Sequence, residues 1–270
     1  MGSIISIALW AANGISIDMV QSDVALSYAQ RMYLRLGLII NHASMFLIPG
    51  LLLGFFFHRG KFRQFIGADL IGYTKQYLFW GLAIIVAYPL IGGLTQWTMS
   101  LPLPDWLVSS QDQSMAMLSN TLVMDTPIEL ISNLLLVGVM AAVGEELIFR
   151  GILQKKLSHQ WSNPHLAVII SSVVFAGIHM QAERFPALFV LGVLLGYSYH
   201  YTRSIWVPII LHLLNNSIQV LAVYASPEEV LDLSEVPSIQ WYEAVISLCL
   251  TLGLAYAASL MPSRVDELRP

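Results

Sequence analysis

Three short polar sets interrupt apolar sequence in the C-terminal half of this 270-residue chain. The first is Gly144-Glu145-Glu146-Leu147-Ile148-Phe149-Arg150, the second Phe175-Ala176-Gly177-Ile178-His179, and the third His212-Leu213-Leu214-Asn215-Asn216. Two carboxylates, two imidazoles, two amides and a guanidinium are groups suited to acid–base chemistry on a polar bond. A ring N–H and an amide N–H aimed at one point hold the negative charge that develops on a carbonyl oxygen.

Spacing divides the labour. Glu146 and Arg150 are four apart and share a helix face, where an ion pair lowers the cost of both. Glu145 lies about 100° around the same helix, with no second cation matched to it, and reads as the reactive carboxylate. His212 and Asn216, also four apart, point the same way from one helix. Each set has a structural reading too. Both glutamates can satisfy Arg150 and neighbouring helices, a lone membrane histidine can join two helices by a hydrogen bond, and His212 with Asn216 can form an interhelical clasp.

The elements that carry these residues follow from composition. Hydrophobic residues make up 56% and charged residues 11%, against roughly 25% charged in ordinary globular chains. A water-soluble surface needs more charge than that, so lipid is the solvent. Apolar runs fall at about Leu36–Phe57, Tyr77–Thr98, Ile128–Leu153, Leu166–Met180, Phe185–Tyr201, Ile205–Ala225 and Trp241–Met261. Backbone polar groups in lipid must be satisfied within the segment, so these are helices. The expected fold is an all-α, polytopic transmembrane bundle of seven spans, or eight if Ile4–Ile17 crosses. That run is short of the ~20 residues a span needs and reads as an interfacial or partial helix. The first basic residue is Arg31, so the charged start of a signal peptide is missing.

Lys and Arg orient the bundle. With the loop after the first long span in the cytoplasm, Arg59, Lys61, Arg63, Lys75, Arg150, Lys155, Lys156, Arg203, Arg264 and Arg269 lie inside. Only Arg31, Arg35 and Arg184 lie outside, and the opposite loops carry Asp105, Asp112, Asp125, Glu228, Glu229, Asp232 and Glu235. The expected location is a bacterial inner membrane. A net charge of −4 argues against a nucleic-acid partner. The single Cys249, in an apolar run, excludes a disulfide framework. His42 follows Asn41 with no partner at helical spacing and reads as structural, as do His58, His159, His165 and His200. Oligomeric state is not written in any of these features.

Taken in order, Glu145-Glu146-x-x-x-Arg150, Phe175-x-x-x-His179 and His212-x-x-x-Asn216 resemble the motifs of the CAAX-protease and bacteriocin-processing family, which includes the type II CAAX prenyl endopeptidases. The resemblance covers about residues 140–217, a protease motif core within a single membrane domain over 1–270; the N-terminal half resembles only a generic membrane bundle. It implies an intramembrane glutamate endopeptidase acting on a membrane-associated protein or peptide, without cofactor or metal. In that likeness Glu145 activates water with His179 as its partner, and His212 with Asn216 forms the oxyanion hole. Glu146 and Arg150 support the motif helix, and Phe175 packs to set the helix carrying His179. Because His212 is seven residues beyond Ile205, the site is expected to open to the cytoplasm.

Two other readings stay open. One glutamate and two histidines could complete a catalytic zinc site, although the His-Glu-x-x-His signature is absent and Asn216 takes the place of a further ligand. A non-enzymatic immunity or scaffold protein, or a proton-coupled transporter with Glu145 as carrier, would also need a charge at membrane depth. Transporters often show paired repeats with broken helices, and none is visible here.

Overall fold

A computed structural model describes residues 2–22, 24–58, 60–226 and 238–263. Arg59, Arg264, Arg269 and the acids Glu228, Glu229, Asp232 and Glu235 of the topology argument lie outside the described residues. Helix is the regular structure throughout, with no strand among the described residues. The main helices are α1 Gly2–Ala12, α2 Tyr28–Phe56, α3 Thr74–Met99, α4 Asp105–Leu122 and α5 Pro127–Trp161, then α6 Pro164–Gly177, α7 Phe185–Thr202, α8 Trp206–Ala225 and α9 Trp241–Ser259. Short helical turns lie at Ile17–Val20 and Phe62–Ile66.

An all-α membrane bundle is what the composition demanded, with a different distribution of lengths. Five helices, α2, α3, α5, α8 and α9, are long and apolar enough to cross a membrane. Helix α6 is apolar but has only 14 residues, about 21 Å, short of the ~30 Å hydrocarbon core. Helix α7 ends in the polar turn Tyr197–Thr202. Helix α1 has 11 residues and is too short to span alone. Helix α4 was not expected: Ser and Gln dilute its apolar residues, so hydropathy reads it as loop. Asp105 in its first turn favours the helix by facing the positive end of the dipole.

Local chemistry sets the ends. Thr126 caps α5 by accepting from the Glu129 N–H, with Pro127 in the first turn. Asn163 caps α6 through the Leu166 N–H, again followed by proline. Three wider, π-helical stretches interrupt the α geometry: Ala43–Leu47 in α2, and Leu134–Met140 and Leu147–Gln154 in α5. The two in α5 flank the Glu145-Glu146 pair. Such turns re-aim side chains and gather at functional sites.

Packing follows membrane rules. Trp80 on α3, Leu195 on α7, Leu211 on α8 and Ala258 on α9 share one buried cluster. Ile66, Leu147, Tyr199, Ile205 and Ile209 form a second, at the end where Lys155 and Arg203 lie. Small residues let α6 and α7 close together: a Cβ on Gly196 would meet Val168 Cγ1 at 2.9 Å. Leu51, Phe55, Ile131, Leu250 and Leu252 stay exposed and face lipid without penalty.

Arg31 and Arg35, two exceptions to the charge rule, are neutralised within the bundle. Glu129, fully buried, accepts from Arg31 Nε at 2.7 Å and Arg35 Nη1 at 3.0 Å. Arg35 also donates to Asn133 and to the Thr121 and Val123 carbonyls, joining α2, α4 and α5. Arg31 reaches Asp125 as well, whose side chain is 68% exposed. Removing a buried partner leaves an uncompensated charge, a loss of about 3–5 kcal/mol; an exposed pair contributes about 0–1 kcal/mol. Glu129→Ala is therefore expected to lower the thermal unfolding midpoint in detergent sharply and Asp125→Ala hardly at all. Equal shifts for the two variants would show that Glu129 does not hold the helices together.

Candidate active site

Glu146 is fully buried, and its Oε1 is shared by two donors from two helices. Arg150 Nη1 donates to it at 2.9 Å from the next turn of α5, and His212 Nδ1 lies at 2.8 Å from α8. Arg150 also donates through Nη2 to the Gly192 carbonyl of α7 at 3.0 Å. Its guanidinium carbon lies 4.7 Å from the centroid of Phe175, which brings in α6. The ion pair read from helical spacing is present, and it ties four helices rather than supporting one.

Phe175 is the hub of the second set. Its ring lies 5.0 Å from His179, 5.9 Å from His212 and, edge-on, 5.4 Å from Phe149, by centroids. His179 differs from expectation in one respect: α6 ends at Gly177, so the histidine stands in the turn just after it. His179 Nδ1 is 2.7 Å from the Phe175 carbonyl. A carbonyl only accepts, so Nδ1 is the donor here and Nε2 is the ring nitrogen left free.

Asn216 donates to the Val137 carbonyl at 2.8 Å, inside the π-helical stretch of α5. Its Oδ1 accepts from Asn215 at 3.1 Å, and Asn215 in turn accepts from Tyr88 on α3 at 3.0 Å. One amide hydrogen of Asn216 therefore remains uncommitted. Glu145 is buried, with no hydrogen-bond partner on Oε2. Glu145, Phe175, His179, His212 and Asn216 all line one cavity of about 570 Å³. Glu146 and Arg150 stand behind it. Among the described residues, no three His, Cys, Asp or Glu side chains are grouped to hold a metal ion.

His42, read from sequence as structural, also lines this cavity, and its Nε2 has no hydrogen-bond partner. Its ring occupies the space that a side chain on Gly144 would fill: a Cβ there would lie 3.1 Å from His42 Nε2 and 3.0 Å from Phe46. His42 has no companion at helical spacing because its companions are on α5. The available signal was its cost at membrane depth, which makes an ionisable group a functional candidate on its own.

The cavity also reaches the polar helix α4. Its remaining lining includes Ser114, Met117, Leu118 and Thr121 of α4 and Gln181 after α6, at the end away from Lys155, Lys156 and Arg203. The start of α8 is fastened to the loop after the Phe62–Ile66 turn. Ser204 and Ile205 are buried, Ser204 donates to the Leu70 carbonyl, and Trp206 donates to the Ala68 carbonyl at 2.9 Å.

Residues 127–218, which contain all of these motif positions, match the family described as type II CAAX prenyl endopeptidase Rce1-like. The membrane-embedded CAAX protease MroQ of Staphylococcus aureus (strain USA300) is 29% identical over 97 residues, 34% of this chain and 39% of the relative. YdiL of Bacillus subtilis (strain 168), whose name marks it as a candidate membrane peptidase, is 32% identical over 84 residues, 31% of this chain and 34% of the relative. The matches thus span well under half the length of either relative. No solved structure matches the chain. The segment 127–218 carries the signature of the CAAX-protease and bacteriocin-processing family, set in a helical membrane bundle.

The shared carboxylate makes a specific demand on stability. Glu146→Ala leaves two buried donors without their acceptor, and Arg150→Ala leaves the carboxylate with His212 alone. Each is expected to cost about 3–5 kcal/mol, read as a lower unfolding midpoint in detergent and a smaller folded fraction in membranes. Wild-type stability in both variants would remove this cluster from the account of the fold.

Proposed function

We propose that the chain is an intramembrane endopeptidase of the glutamate type, hydrolysing a peptide bond in a membrane-associated protein or peptide. The observation that carries this reading is the meeting of Glu145, His179, His212 and Asn216, from three separate segments, on one cavity. In the proposed step, water is held between the Glu145 carboxylate and His179 Nε2. As its oxygen bonds to the substrate carbonyl carbon, Glu145 takes the proton. The carbonyl π pair moves onto oxygen, where the free Asn216 N–H and His212 Nε2–H stabilise it. Collapse re-forms the carbonyl and breaks the C–N bond, and the proton held by Glu145 goes to the leaving amine.

His212 can serve in this role only as an imidazolium, because Nδ1 is already bonded to Glu146. The proposed entrance is at the α4 and Gln181 end, which the charge rule places away from the cytoplasm. Prenylated CAAX proteins are one substrate class suggested by the matched family's description.

Glu145→Gln keeps shape and hydrogen-bonding capacity but removes the base. Membranes from cells expressing this variant are expected to lack a set of new peptide N-termini that the wild-type chain generates, while the variant itself accumulates normally. Identical N-terminal profiles would refute the assignment. The wild-type activity is expected to survive prolonged EDTA and o-phenanthroline; loss with restoration by zinc would replace the mechanism with a metal-dependent one. For the entrance, cysteine placed at Ser114 in a Cys249→Ala background is expected to react with a membrane-impermeant maleimide applied to intact cells. Labelling only after lysis would reverse the orientation.

A further inference from the structure

A second cavity, of about 200 Å³, opens at the opposite end of the bundle, between the end of α5, the start of α6 and the end of α7. Its lining includes Lys155, Arg203, His159, His200, Ser158 and Gln154, and no aspartate or glutamate. The two cations, Lys155 and Arg203, repel each other across one hollow unless an anion sits between them. Among the described residues, none of its lining supplies one. Neither Lys155 nor Arg203 makes an ion pair among the described residues. The lysine ammonium instead sits 4.7 Å from the Phe65 ring centroid. Asp69, on the loop that Ser204 and Trp206 hold, is paired with Arg63.

Arg203 is also held in a conformation that its type disfavours. It follows the last turn of α7 with φ 58°, in the left-handed region where glycine is the usual occupant. A cation is welcome at a helix C-terminus for the dipole alone, but that accounts for one charge and not for four basic groups around a cavity. The chemistry on offer is an ammonium, a forked guanidinium, ring N–H groups and a serine hydroxyl, which together match the acceptor oxygens of a phosphate. The volume is below the roughly 300 Å³ at which pockets for whole small ligands begin, and suits a single headgroup.

We propose that this basic cavity binds a phosphate group, either the phosphodiester of an anionic lipid at the cation-rich face or a free phosphate. Lipid headgroups reach such pockets between helices at the cytoplasmic interface. The site is separate from the cavity of Glu145 and does not depend on the proposed peptidase activity.

The test is the unfolding midpoint of the purified full chain in neutral detergent, titrated with phosphatidylglycerol, with diacylglycerol lacking the phosphate, and with inorganic phosphate. Phosphatidylglycerol is expected to raise the midpoint and diacylglycerol not to. A parallel rise with inorganic phosphate assigns a free-phosphate site; a rise with the lipid alone assigns a lipid headgroup. In Lys155→Gln/Arg203→Gln the apparent dissociation constant is expected to weaken about tenfold or more, the loss of at least one charge-assisted hydrogen bond. Lys61→Gln/Arg63→Gln, which removes the same charge from the same end, is expected to keep wild-type binding. Arg203→Gly guards against misfolding, because it relieves the backbone while deleting the cation, and it too is expected to lose affinity. Equal stabilisation by diacylglycerol, equal weakening in both double variants, or no response to either phosphate source would overturn the site.

Discussion

One carboxylate oxygen holds the centre of this molecule together. Glu146 Oε1 receives Arg150 from its own helix and His212 from α8, and Arg150 extends the link to Gly192 on α7 and to Phe175 on α6. In lipid there is no water to compensate for any of these groups, so each can be buried only because the others are. The same oxygen also fixes the His212 ring, which lines the cavity of Glu145. Structure and proposed chemistry therefore depend on the same bond, and a change at Glu146 disturbs both.

The bundle repeats this logic at its other end. Glu129 serves Arg31 and Arg35 much as Glu146 serves Arg150 and His212, one carboxylate oxygen between two donors. There the partners belong to α2 and α5, the helices that also bring His42 against Gly144. The N-terminal half, which resembles only a generic membrane bundle in sequence, thus supplies one wall of the cavity. The matched segment 127–218 holds the motif residues but does not enclose them alone.

Much of this was legible from residues alone because lipid makes polar groups conspicuous. Spacing of four paired Glu146 with Arg150, and the long apolar runs marked the main helices. What could not be read were contacts between helices. His212 bonds to Glu146 across 66 residues, and no periodicity encodes that. His42 looked unpartnered for the same reason. The π-helical stretches shift side chains off the regular 3.6 period, so a depth counted in residues drifts. Helix α4 was hidden by its polar residues, so its contribution to the cavity wall could not be read from sequence.

The plug formed by Ile66, Leu147, Tyr199, Ile205 and Ile209, with Ser204 and Trp206 fastened to the loop around Ala68 and Leu70, closes the bundle at the end away from α4. On the proposed peptidase reading, a polypeptide that reaches Glu145 from the α4 rim would meet this closed end. A free terminus or a bent-back loop would then fit where an extended chain would not, and selection among substrates would begin with their shape before any side chain is read.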